Sequence, residues 1–442
     1  MSVHQPGTRW YNAVWRWHFY AGLFCIPFVI WLASTGSLYL WRPQIEALLD
    51  QPYDRLAASV PATSPEAQVA AAIAAVPDSS LAQYVLPDEG PGHAVRILVQ
   101  RHGERSRVYV DPASNKVLGV VVEEHRPFRV LTRLHGELLA GNVGSYVVET
   151  AACWAIVMIL TGLYLWWPRG RKGLAGVLWP RLSGSGRLFW RDIHAVAGVW
   201  VSMAALGLIL TGLPWAKGWG SYLKEVRTVT HMTDGPVDWT IGGKPPASDA
   251  HAGHEGMTMA TPALRPGELP RVIAAARPLA IAPPVLIAPP RMAGAPWSIS
   301  SDAADRPLRA EAKIDGATGH VVSRKSFAQR HWIDRLVGYG IAIHEGQLFG
   351  LANQLLGTLI ALLLVTLAVS GAVMWWRRRP IGLLGAPIPL SRPRFGAVLV
   401  GAIVALGLYL PMFGATLIAM LLIERFLLRS IPASRRWLAL RA

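Results

Sequence analysis

The chain has 442 residues, 52% hydrophobic and only 16% charged, with 43 Lys and Arg against 27 Asp and Glu and a formal net charge of +16. With a mean hydropathy of +0.32, this composition excludes an ordinary soluble domain and a disordered chain, and it indicates a polytopic membrane protein with soluble parts. Both cysteines, Cys25 and Cys153, fall inside apolar segments, which excludes a disulfide framework, and no Cys-x-x-Cys-His occurs, which excludes covalent c-type haem attachment.

Residues 1–42 comprise a short basic N-terminus and a first span: 19–41 carries no charge over 23 residues, enough to cross a hydrocarbon core of about 30 Å at about 1.5 Å per residue. The run is too long and too aromatic for a cleavable signal peptide and reads as a retained anchor. Residues 43–145 are polar. They contain an Ala-rich amphipathic stretch at 65–76, predicted helical, then alternating segments at 94–100, 106–110 and 116–122, predicted as strands, with a turn at Asp111-Pro112-Ala113-Ser114-Asn115. A second span covers 146–167, with Glu149 in the outer interface, and a basic loop fills 168–193.

The third span, 194–215, opens a second copy of this order. Residues 216–345 repeat the polar region, with a predicted helix at 272–276, strands at 297–300, 310–314 and 320–323, and a turn at Asp315-Gly316-Ala317-Thr318-Gly319. Each polar region ends in a basic, partly apolar stretch, 126–134 and 330–343, and then a histidine. One insert, 249–259, departs from the duplication and carries His251, His254, Met257 and Met259; such thioethers and imidazoles suit Cu(I), or the stretch is a solvated linker. The fourth span is 351–376, followed by a basic loop at 377–394. Residues 395–428 form the C-terminal apolar segment, with 29 uncharged residues over 395–423 interrupted by Pro411-Met412-Phe413-Gly414, and 429–442 form the tail. One helix would place the tail arginines outside, whereas a tight hairpin of two short spans returns them, and the positive-inside rule favours the hairpin.

The segments 1–17, 168–191, 377–394 and 424–442 together contain 18 Lys and Arg and one acid, Glu424, which accounts for the whole net charge. The basic balance therefore reports topology and an anionic leaflet, with both termini inside, and makes no case for nucleic acid.

Four histidines repeat with the spans. His18 precedes Thr35-Gly36 by 17 residues and His194 precedes Thr211-Gly212 by the same 17; His135 precedes Thr161-Gly162 by 26 and His344 precedes Ser370-Gly371 by the same 26. Ionisable residues at membrane segments are costly and so are functional candidates. Spans one and three run outward with histidine at their inner ends, and spans two and four run inward with histidine at their outer ends. His18 is therefore expected to meet His194, and His135 to meet His344. Two neutral imidazoles fill both axial positions of a haem iron, so the expectation is two non-covalent, bis-histidine haem b groups. Gly22 and Gly198, one turn beyond their histidines, let a macrocycle lie against the helix, and Gly36 and Gly212, about five turns beyond the same histidines, leave room near the opposite surface, or all four permit close helix packing. Arg16 and Arg191 pair with propionates or only express the positive-inside bias.

These residues carry a resemblance. Arg16-Trp17-His18 with Gly22, Leu134-His135-Gly136 with Gly141, Asp192-Ile193-His194 with Gly198, and Ile343-His344-Glu345 with Gly350 resemble the PepSY-associated transmembrane helix family, which includes iron-regulated membrane proteins and ferric-siderophore reductases of the bacterial inner membrane. Val110-Asp111-Pro112 before Val117-Leu118-Gly119 resembles the PepSY signature, with a second copy from Asp315-Gly316 to Gly319-His320-Val321-Val322. The resemblance implies an α-helical membrane bundle of four core spans plus a C-terminal hairpin, with two small α+β PepSY-like periplasmic domains. It also implies a di-haem protein that reduces ferric siderophores or other metal complexes on the periplasmic side. No nicotinamide or flavin motif is present, so the donor is expected to be a membrane quinol or a redox protein. Two other classes stay open: a membrane-anchored PepSY binding or regulatory module without redox activity, and a copper-handling protein centred on the insert.

Overall fold

The computed structural model describes residues 6–56, 62–87, 92–169, 173–181, 186–232, 265–390 and 396–440. The His/Met-rich insert, with His251, His254, Met257 and Met259, lies outside the described residues.

In chain order the elements are α1 (Pro6–Leu40), α2 (Arg42–Asp50), α3 (Pro65–Ala75), β1 (Ser80–Leu86), β2 (Val95–Arg101), β3 (Glu104–Val110), β4 (Val117–Val122), α4 (Pro127–Glu137) and α5 (Gly141–Trp166). The second half repeats them as α6 (Arg187–Gly212), α7 (Lys217–Val229), α8 (Glu268–Ala276), β5 (Val285–Ala288), β6 (Trp297–Ser301), β7 (Ala310–Ile314), β8 (Val321–Ser326), α9 (Trp332–His344) and α10 (Gly350–Arg378). The chain closes with α11 (Ala397–Tyr409), α12 (Pro411–Ile423) and α13 (Pro432–Trp437).

Among the described residues, five helices are long and apolar enough to cross a membrane: Trp10–Leu40, Gly141–Trp166, Arg187–Trp215, Gly350–Arg378 and Pro411–Leu428. α1 and α6 each pack on both α5 and α10, so the four form a ring in the order α1, α5, α6, α10. The tail folds back on itself. Leu410 leaves helical geometry at ψ 83° and Pro411 starts α12, so Gly407 and Gly414 meet backbone to backbone. α11 has 13 residues, about 20 Å at helical rise, shorter than the hydrocarbon core.

The two polar regions differ from expectation: each has a fourth strand, β1 in the first and β5 in the second. They are joined as a single antiparallel sheet of eight strands in the order β4-β3-β2-β1-β5-β6-β7-β8. The seam is β1 on β5, with Tyr84 opposite Ile287 and Leu86 opposite Val285. Alternation sends Ile97, Val99, Val108, Ile287, Ile299 and Ile314 to one face, where α3 and α8 cover them in one continuous core. The other face meets α2, where Tyr109 donates to Asp50 at 2.9 Å, and Arg107 donates to Glu123, in the turn between β4 and α4, at 2.6 Å.

A second correction concerns two histidines. The sequence places His135 and His344 at the outer ends of the second and fourth spans. In the structure each lies on a separate short helix, His135 near the end of α4 and His344 as the last residue of α9. Left-handed residues then turn the chain into the span: Leu138, Leu139 and Gly141 in the first copy, Gly346 and Gly350 in the second. Such residues end a helix because they cannot continue its hydrogen-bond ladder.

Candidate functional site

The ring of four helices encloses a cavity of about 1680 Å³ that reaches from the basic loops, the loop side, to the underside of the sheet. A pocket for one small molecule is usually about 300–1,000 Å³, so the cavity has room for two sizeable groups. All four histidines line it. The rings of His18 and His194 face each other at 6.4 Å between centroids with planes at 82°, and those of His135 and His344 at 6.5 Å and 78°. His135 bonds Thr35, which lies 17 residues beyond His18 on α1, so the two pairs are set about 25 Å apart along the helix.

Every ring is held in the same manner. Nδ1 of His18 lies 3.0 Å from Thr161 Oγ1, that of His135 2.8 Å from Thr35 Oγ1, that of His344 3.1 Å from Thr211 Oγ1, and that of His194 3.2 Å from Ser370 Oγ and 3.0 Å from the Leu367 carbonyl. Each hydroxyl donates its own hydrogen back to its helix: Thr161 to Val157 at 2.7 Å, Thr35 to Trp31 at 2.8 Å, Thr211 to Gly207 at 2.8 Å, Ser370 to Leu367 at 2.9 Å. A hydroxyl has one hydrogen, so toward the imidazole it accepts and Nδ1 donates. That assigns the tautomer in all four rings and leaves Nε2 as the nitrogen free for a ligand bond.

The glycine after each hydroxyl residue completes the seat. A Cβ on Gly36 would stand 3.2 Å from His135 Cε1, on Gly162 3.1 Å from His18 Cε1, on Gly212 3.2 Å from His344 Cε1 and on Gly371 3.3 Å from His194 Cε1. Nδ1 and Cε1 are adjacent ring atoms, and Thr-Gly or Ser-Gly are adjacent residues, so one edge of the imidazole docks on one dipeptide. Gly36 and Gly212 therefore make room for a histidine edge. Gly22 and Gly198 line the cavity itself, with the nearest side-chain atoms to an added Cβ at 3.6 Å (Met158 Sδ) and 3.3 Å (Leu367 Cδ1).

The arginines divide. Arg191 lines the loop-side end of the cavity with Arg187, Arg377 and Arg378. It is bound to Asp192 at 2.6 Å, a fully buried carboxylate also held by Arg181 at 2.7 Å. Arg16 does not reach the cavity wall. It donates to Tyr20 Oη and the Ala439 carbonyl, both at 3.2 Å, and to the Pro387 carbonyl, and so ties α1 to the C-terminal tail. At the sheet side Arg42, Arg126 and Arg306 line the cavity, positions that charge counting did not single out. Trp215 bridges the two: its ring meets His344 edge-on at 6.0 Å and lies under the Arg306 guanidinium at 5.7 Å. Sequence reasoning also missed the four hydroxyls as ring partners. The repeated offsets of 17 and 26 mark them, but only the helix neighbours assign each to its histidine.

Five membrane-length helices, four of them ringed around a through-going cavity, together with an antiparallel sheet outside them, define a multi-pass helical membrane protein with an appended sheet domain. Within that class the chain belongs to the family of the PepSY-associated TM region, whose model matches residues 15–378 and so takes in all four histidines and both repeats. No curated protein matches the chain.

Proposed function

We propose that this protein is a two-haem electron carrier of the bacterial inner membrane that passes electrons outward to reduce ferric siderophores or related metal complexes. The observation that carries this reading is the pair of histidine pairs, with ring centroids 6.4 and 6.5 Å apart at two levels of one cavity. A first-row metal bound about 2.0 Å from Nε2 of both rings separates the centroids by about 6 Å, so the residues fit a bis-histidine group. The tautomers favour the same reading, since neutral imidazole with Nδ1 donating is the form that binds a metal through Nε2. A haem held by the His18–His194 and His135–His344 pairs would supply one-electron exchange.

The remaining chemistry belongs to the chain. Between the pairs the cavity wall is largely apolar, with Leu23, Ile26, Val29, Leu32, Ala155 and Ile159. Arg187, Arg191, Arg377 and Arg378 at one end, and Arg42, Arg126 and Arg306 at the other, supply cations for carboxylates. The basic loops favour a cytoplasmic loop side and a periplasmic sheet. On that orientation the donor, a membrane quinol or a redox protein, delivers to the His18–His194 level, and the acceptor docks beneath the sheet. Reduction to the softer, less charged Fe(II) loosens a hard-oxygen chelate.

The test is a reduced-minus-oxidised visible spectrum with pyridine haemochrome quantification on purified protein expressed with haem supply. Two b-type haems per chain are expected, His18→Ala and His194→Ala removing the same one and His135→Ala and His344→Ala the other. Well-folded protein without haem overturns the reading and leaves a membrane-anchored binding module. Haem-loaded, chemically reduced protein that reduces no ferric chelate would confine it to internal electron transfer.

A further inference from the structure

We infer that Thr35, Thr161, Thr211 and Ser370 are positioning residues that set the orientation and donor strength of the four histidines, and thereby the reduction potential of the group each pair holds. The inference rests on the haem reading above. Its ground is a hydrogen bond that the helices do not need for themselves. A threonine in a span satisfies its hydroxyl by donating to the carbonyl four residues back, as exposed Thr150 and Thr366 do at 2.8 Å. Thr35, Thr161 and Thr211 do the same, Ser370 donates three residues back, and all four in addition accept from an imidazole at 2.8–3.2 Å. Each is followed by glycine, whereas Thr150 and Thr366 are followed by Ala151 and Leu367.

The arrangement crosses between elements. α1 carries His18 near one end and Thr35 at the other, and α6 carries His194 and Thr211 likewise. Each of these helices thus supplies a ligand to one level and the orienting hydroxyl to the other. Accepting the Nδ1 hydrogen makes an imidazole more electron-rich at Nε2. A more electron-rich ligand favours the ferric state, so the bond lowers the reduction potential, and its loss raises it. The four positions are not equal. Nδ1 of His194 has the Leu367 carbonyl at 3.0 Å as a second acceptor, whereas Thr35 is the acceptor for His135 at 2.8 Å.

The experiment is a spectroelectrochemical titration of full-length, haem-loaded protein, with haem retention measured by transfer to apomyoglobin. Thr35→Val is expected to raise the potential of the sheet-side haem alone and to weaken its retention about 10-fold to 100-fold. Thr35→Ser restores both. Ser370→Ala gives a smaller rise at the other haem, and Thr366→Val gives none. Thr35→Val with wild-type potentials and retention overturns the inference, and so does Thr35→Ser behaving like Thr35→Val, because then the methyl packing and not the hydroxyl matters. Wild-type protein without haem is a different result, which sinks the haem reading itself.

Discussion

At the scale of single residues, the site is built from a dipeptide that does two jobs. The hydroxyl fixes a ring nitrogen and the glycine admits the next ring atom. Gly36→Ala is expected to push the His135 ring off its seat, because its Cβ would stand 3.2 Å from Cε1 of a ring already hydrogen-bonded to Thr35; overpacking of this kind costs about 1–3 kcal/mol. Gly22→Ala meets Met158 at an ordinary 3.6 Å and is expected to be tolerated, whereas Gly22→Leu fills the cavity. On the proposed two-haem reading, absorbance of the sheet-side group in the first variant and of the loop-side group in the other two checks these outcomes. The offsets of 17 and 26 residues were legible in the sequence because duplication preserves them. The role of Gly36 was not, because His135 is 99 residues away along the chain and comes to that spot only through the packing of α4 on α1.

Among elements, the helices were easier to read than the strands. A span must be long and uncharged whatever its neighbours, so its pattern is local. β1 and β5 escaped the alternation rule for identifiable reasons: the pairing of β1 with β2 shifts register between Leu81 and Gln83, and β5 has only four residues between prolines. α4 and α9 were visible only as basic, partly apolar stretches. α9, which presents His344, is held to α7 by buried Arg227, bidentate on Asp334 at 2.8 and 3.0 Å. Arg227→Ala leaves that carboxylate without its main cation and is expected to cost about 3–5 kcal/mol, read as a lower melting temperature and, on the proposed haem reading, a disturbed spectrum of the sheet-side group. The β3–β4 and β7–β8 turns are tied by Asp111 and Asp315. Ser114 Oγ and the Ala113 amide hold the Asp111 carboxyl below its ordinary range, and the Thr318 amide and hydroxyl do the same for Asp315. A depressed carboxyl stabilises above the unfolded-state value and loses that contribution as pH falls through the folded one. Thermal stability of the sheet domain is thus expected to drop as pH falls below about 4, and Asp111→Ala to remove part of that slope.

For the whole molecule, the seam between β1 and β5 makes one body of two repeats, with one core under α3 and α8. Ile287 is fully buried at that seam. Ile287→Ala is expected to cost about 2–5 kcal/mol and to lower a single unfolding transition of the sheet; two separate transitions, only one of them shifted, would mean that the halves fold independently. The sequence alone determined the apolar spans, the duplicated order, the turn at Pro411 and the four histidines, since bilayer thickness and helical rise dictate those patterns residue by residue. Tertiary structure alone decided that α1 and α6 lie between α5 and α10, that the two polar regions share a sheet, that Arg16 binds the tail, and that each imidazole rests on a hydroxyl and a glycine from another helix. Periodicity says which face of a helix is apolar, but helix neighbours are chosen by packing between residues far apart in the chain, and no local pattern carries that information.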